Sequence, residues 1–223
     1  MENTIQKPKL TIELLQQEAR AYADAESTFP EPSLYGVTDG KAIGTYVEHK
    51  FKAFLAGKYE FVSGSSAAGI DLPELNVDIK VTSITQPQSS CPFKAARQKI
   101  FGLGYSLLVF VYEKHDDPAA QTGTLNVLHT IFVEKERTGD YQTTIGLLRM
   151  LANDANEDDL IAFMFERNLP LDDIEAANIA KELLGGKPLI EGYLTISNAL
   201  QWRLQYSRVI AQAGQVSGIV RVR

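Results

Sequence analysis

Three residues of this chain, Asp71, Asp78 and Lys80, have the types and spacing to act on a phosphodiester. Pro73-Glu74 is turn material between two β-prone segments, residues 70–72 and 75–84, so Asp71 and Asp78 can face each other across a hairpin. On the second segment Asp78 and Lys80 are two apart and project from one face, while Val77, Ile79 and Val81 point into the core. Two carboxylates brought together repel unless a cation neutralises them, and hard oxygen ligands suit Mg²⁺. A lysine beside such a cation can hold or polarise a water. The combination suits hydrolysis, because a metal both activates water and absorbs charge on the transition state. A surface hairpin with a cross-strand salt bridge, worth about 1 kcal/mol at most, would use the same residue types.

The elements that must position these residues follow from periodicity. Residues 11–25 read as a helix closed by the turn-rich Phe29-Pro30-Glu31-Pro32-Ser33. Thr38 or Asp39 can cap a second helix in which Ile43, Val47, Phe51, Phe54 and Leu55 share one face. Extended segments are expected at 59–63, 70–72 and 75–84, then a helix over 92–103. Residues 106–112 are continuously apolar, as in a strand covered on both faces, and 125–133 reads as another strand. From about Asp140 helices dominate, and a final strand is expected at 217–222. The fold class is α/β with a central mixed sheet. The expected organisation is a core over residues 1–139 and a mostly helical region over 140–223 packed on it as one domain.

Asp71 followed by Asp78-Ile79-Lys80 resembles the signature of the PD-(D/E)XK nuclease superfamily, over residues 41–114. Gly-Ile-Asp followed by Val-Asp-Ile-Lys-Val-Thr-Ser is most similar to the type II restriction endonucleases within it. Two departures are Ile70 in place of proline before Asp71, and a short gap from Asp71 to Asp78 that demands a tight hairpin. The resemblance implies a restriction-endonuclease-like core, with Asp71, Asp78 and Ile79 as metal ligands and Lys80 positioning the nucleophilic water. It implies Mg²⁺ as cofactor, double-stranded DNA as substrate and a homodimer. It also gives Glu48 a place, since relatives often carry an acid on the helix before the hairpin. At about 100° per residue Glu48 lies at the border of the apolar face, near Gly44. Gln98 matches a glutamine that some relatives use on the following helix.

Further DNA contacts are expected from the polar loop containing Gln86, Gln88 and Ser89, from Lys94 and Arg97, and from Arg203 and Arg208, with Trp202 or Tyr206 near bases. Each has a plainer alternative. Glu48 can pair with Lys52 at i,i+4. Lys94, Arg97 and Lys99 suit a solvated helix face. Leu200, Leu204 and Ile210 would make residues 201–208 part of an amphipathic helix with its arginines in water. Three scattered histidines and the single Cys91 offer no zinc spacing, and no GxxxxGK[ST] loop occurs.

Composition first points away from DNA. The 223 residues hold 22 Lys+Arg against 28 Asp+Glu, a net charge of −6. Yet residues 41–100 hold eight bases and five acids, residues 151–191 ten acids and three bases, and four arginines follow with no acid. The basic segments suit DNA, and the acidic block suits a solvated face or a dimer arm. One cysteine excludes a disulfide scaffold and suits a reducing, cytoplasmic setting. No run reaches the roughly 18 apolar residues of a membrane span, and residues 1–19 lack a secretory apolar stretch. The leading expectation is a Mg²⁺-dependent restriction-type endonuclease. A repair or structure-selective nuclease and a non-catalytic DNA-binding subunit are the alternatives.

Overall fold

A computed structural model describes residues 7–64, 69–196 and 203–223. The chain divides into two units: Met1–Ser89, Leu107–Phe132 and Ala213–Arg223 form the first, Ser90–Ser106 and Val133–Gln212 the second.

The first unit begins with α1 (Ile12–Glu26), capped by the Thr11 hydroxyl accepting the Leu14 N–H. Leu15, Ala19, Tyr22 and Ala23 fall on its buried stripe. Asp39 caps α2 (Gly40–Lys58) by accepting the Lys41 N–H, and Ile43, Val47, Phe51 and Leu55 recur every fourth residue along its buried face. Four strands follow the helices: β1 (Val77–Ser83), β3 (Ser106–Asp117), β4 (Thr122–Val133) and β7 (Ile219–Arg221), in the order β1-β3-β4-β7. The short β2 (Gln88–Ser90) follows β1 in sequence and is not part of this sheet. Residues 107–112 of β3 are buried without a break, as expected of a strand covered on both faces. The core locks α1, α2 and β3 together through Tyr22, Phe51 and Phe110, whose ring centroids are 5.0–5.8 Å apart. α2 packs on β1, and a Cβ added at Gly44 would meet that of Val81 at an ordinary 3.9 Å.

Two of the expected strands are not formed. Residue 60 makes only an isolated bridge to Lys9, and residue 72 only one to Val77.

The second unit contains α3 (Ala96–Phe101), α4 (Tyr141–Ala152), α5 (Glu157–Glu166), α6 (Asp173–Leu184), β5 (Thr195–Ile196), β6 (Arg203–Gln205) and α7 (Ser207–Gln212). Asp140, Asn156 and Asp172 cap α4, α5 and α6, and Asn156 with Asp159 forms a complete capping box. Ile100, Leu147, Leu160, Met164, Ile179 and Leu183 make a separate core. β5 and β6 pair antiparallel, Thr195 opposite Gln205.

α3 is shorter than expected. Ala95 is extended at its entry, and Gly102, at φ +90°, ends it. The amphipathic helix expected through residues 201–208 is also corrected: Arg203–Gln205 is strand, and α7 starts only at Ser207. Trp202 and Leu200 lie outside the described residues.

The fold class is thus mixed α/β, as expected. No helix among the described residues is long and apolar enough to cross a membrane.

Candidate active site

The site is built on the free edge of β1. A tight turn at Pro73-Glu74 lets Leu72 and Val77 exchange two backbone hydrogen bonds, 2.9 and 3.2 Å, and Asn76 adopts φ +55° to close it. Pairing of Leu72 with Val77 puts Asp71 opposite Asp78. The turn is short enough to meet the demand of the seven-residue gap. Backbone anchoring continues upstream, where the Gly64 N–H donates to the Asp71 carbonyl at 2.8 Å.

Asp71 and Asp78 are 9% and 5% exposed, and their carboxyl groups hydrogen-bond each other. Asp71 Oδ2 also accepts the Ile79 N–H at 2.9 Å, using a donor that an edge strand would otherwise leave unpaired. Asp71 Oδ1 accepts from the Lys52 ammonium at 2.7 Å, and Lys52 reaches Glu48 Oε1 at 2.7 Å as well. Lys80 lies 2.6 Å from Asp78 Oδ2. Glu48, Lys52, Asp71, Asp78 and Lys80 therefore form one connected cluster on α2, the turn and β1.

The environment separates the two aspartates. Burial of Asp78, opposed by the Lys80 charge and reinforced by contact with Asp71, pushes its carboxyl up to about 6. Burial would raise Asp71 too, but hydrogen bonds from Asp78, Lys52 and the Ile79 N–H outweigh it and hold Asp71 at about 2. Burial disfavours the Lys52 ammonium, yet Asp71 and Glu48 raise it above its ordinary value. One proton shared by two close carboxylates is the usual answer to repulsion, and a cation is the other.

The donor chemistry fits a hard divalent cation. It consists of two carboxylates and, on the same strand edge as its N–H, the Ile79 carbonyl. Among the described residues no three His, Cys, Asp or Glu side chains make a ready cage. A cation that keeps several waters needs none.

The expected DNA-contacting residues divide between the units. In the first, Thr82 shares a strand face with Asp78 and Lys80, and its hydroxyl bonds the Gln86 and Gln88 carbonyls and the Gln88 N–H. That folds the loop bearing Gln86, Gln88 and Ser89 back over the same face. In the second, the Arg97 guanidinium is held by both Glu182 oxygens at 2.6 and 2.8 Å, and Gln98 Oε1 accepts the Lys94 N–H at 2.7 Å. Lys94 precedes α3 rather than riding on it, and Lys99 is buried at 5% exposure, not on a solvated face. Arg203 lies on β6, and Arg208 stacks 3.4 Å over the Tyr141 ring.

Lys52 is the residue that sequence reasoning passed over. Its i,i+4 pairing with Glu48 was visible, but the bond to Asp71, 19 residues away, needs the turn to be in place.

These features belong to a class. A profile of the family described as "Type II restriction enzyme NspV" matches residues 9–221, and the chain belongs to that family. It is a restriction-type, site-specific deoxyribonuclease. The "Type II restriction enzyme NspV" of Nostoc sp. (strain ATCC 29411 / PCC 7524) is 65% identical over 213 residues, 96% of each chain. No solved structure matches.

Proposed function

We propose that the cluster on β1 is the phosphodiester-cleaving centre of a restriction-endonuclease-like core acting on double-stranded DNA. The observation that carries the proposal is the convergence of Asp71, Asp78 and Lys80 on one strand edge, with Lys80 2.6 Å from Asp78. Asp71, Asp78 and the Ile79 carbonyl would hold Mg²⁺. Bound there, the cation supplies a Lewis acid for the phosphoryl oxygen and lowers the pKa of water. Lys80 donates a hydrogen bond to the attacking water and orients it in line with the scissile bond. Burial excludes bulk water from the carboxylates, which strengthens each of these interactions. Glu48 assists through a water or as a further oxygen ligand.

Gln86, Gln88 and Ser89 approach the duplex beside the site. Lys94, Arg97, Gln98, Arg203 and Arg208 supply phosphate or base contacts, which makes binding weaken with salt. A palindromic target calls for a symmetric homodimer, one active site per strand. A reducing cytoplasmic setting suits the single Cys91.

Incubation with Mg²⁺ and phage DNA tests the proposal. Discrete, sequence-defined bands are expected. A structure-dependent smear would favour a repair-type nuclease instead, and cleavage that survives Asp78→Ala undiminished would remove the site assignment.

A further inference from the structure

We propose that Lys52 is a positioning residue of this centre, whose ammonium competes with the divalent cation for Asp71 Oδ1 and so sets how tightly that cation is held. The inference rests on the reading of Asp71 and Asp78 as cation ligands given above. An i,i+4 Glu–Lys pair on an exposed helix is loose and contributes little. Lys52 is different: its side chain is 12% exposed, and its ammonium bridges two carboxylates at 2.7 Å each. Asp71 has one oxygen committed elsewhere, since Oδ2 accepts the Ile79 N–H at 2.9 Å. Oδ1, the oxygen without that backbone bond, is the one that Lys52 occupies. Asp78 carries its own ammonium, that of Lys80, at 2.6 Å. Each proposed carboxylate ligand therefore already holds a counter-charge. Lys80 rides on the strand beside its aspartate, two residues along, whereas Lys52 comes from α2. Glu48 lies one helical turn before Lys52, so it can retain the ammonium when Asp71 Oδ1 is given up to a cation.

Removing the Lys52 charge leaves three acids facing Lys80 alone, and the local field then favours a divalent ion more strongly. The test is Mn²⁺ binding to the full chain without DNA, followed by electron paramagnetic resonance and calorimetry. Lys52→Met and Lys52→Gln should each bind Mn²⁺ about tenfold more tightly than the unaltered protein. A residue that only braced the fold would weaken binding or leave it alone when removed, and no gain in either variant overturns the inference. Asp78→Ala separates the two layers of argument. If it leaves Mn²⁺ affinity unchanged, the cation-site reading itself fails. If it abolishes binding while the Lys52 variants match the unaltered protein, only the role of Lys52 fails. Should the Lys52 variants melt early in chelator, recovery of the transition by Mn²⁺ supports the competition, and lack of recovery overturns it.

Discussion

The Lys80 ammonium lies 2.6 Å from Asp78 Oδ2, between residues two apart on one strand face. The contact joins the group proposed to hold the cation to the group proposed to hold water, and the two functions can be removed separately. Asp78→Ala should lower Mg²⁺-dependent cleavage by about 10³-fold and abolish Mn²⁺ binding. Lys80→Met should lower cleavage by roughly 10²-fold while Mn²⁺ still binds. Plasmid cleavage and a Mn²⁺ titration check both halves. Loss of Mn²⁺ binding in Lys80→Met would contradict the division of labour.

Asp78 also makes stability depend on pH. Its folded pKa of about 6 lies above the ordinary 3.8, so the fold favours the protonated form. The stabilisation is complete below the ordinary value and is lost as pH rises through 6. Asp71 has the opposite sign: held at about 2, it stabilises above the ordinary range and loses that contribution only as pH falls toward 2. Between about pH 4 and 6.5, in chelator, the unaltered protein should therefore lose stability. Asp78→Asn should flatten that slope and melt about 4 °C higher at pH 7.5. Parallel melting curves for the two proteins across this range would refute the assignment.

Phe51 is fully buried, with its ring 5.0 Å from Tyr22 and 5.2 Å from Phe110. Phe51→Ala should cost about 3–5 kcal/mol and lower the melting temperature by roughly 10 °C. Thermal melting followed by circular dichroism measures it, and a shift below 3 °C would show that this cluster does not hold α1 and α2 to the sheet.

Gly192 tests the second unit. A Cβ there would stand 2.1 Å from the Gly139 carbonyl oxygen, which is backbone and has no rotamer to retreat into. Gly192→Ala should destabilise by about 3 kcal/mol. Gly57→Ala, in α2 with no atom within 4 Å of the added carbon, should be neutral or stabilise by about 0.5 kcal/mol. Denaturant unfolding of the pair distinguishes steric conflict from a general effect of alanine, and equal midpoints would contradict the packing.

The cluster proposed to carry the chemistry was readable because it is local. Asp71 and Asp78 are joined by one turn, and Asp78 and Lys80 by one strand repeat, so turn chemistry and period-2 alternation sufficed. The Asp39 cap likewise marked where α2 begins. What escaped depends on distant partners. Residue 60 has β-prone neighbours but meets only Lys9 for pairing, so residues 59–63 form no strand. Residues 203–205 carry a helical pattern, yet Thr195 and Ile196 offer them a strand partner and tertiary pairing overrides it. Lys99 reads as a solvated base, but the carbonyl of the same residue accepts the Asp140 N–H inside the second unit and the side chain is buried with it. Lys52 escaped for the same reason, because its second partner is brought to it only by folding.

The interleaving of the two units bears on how the molecule is made. β4 ends at Val133, and β7, its neighbour in the same sheet, starts at Ile219, with the whole of residues 133–212 between the segments that form the first unit. Pairing so distant in sequence is entropically expensive to close and slow. Prior folding of the inserted unit shortens the effective span, because a compact body brings its ends nearer than a loose chain would. Refolding should therefore show the inserted unit's helices early and the sheet's last edge late. During synthesis β7 emerges after the other strands, so the sheet carrying the β1 site reaches its final form only once residues 219–221 have been translated.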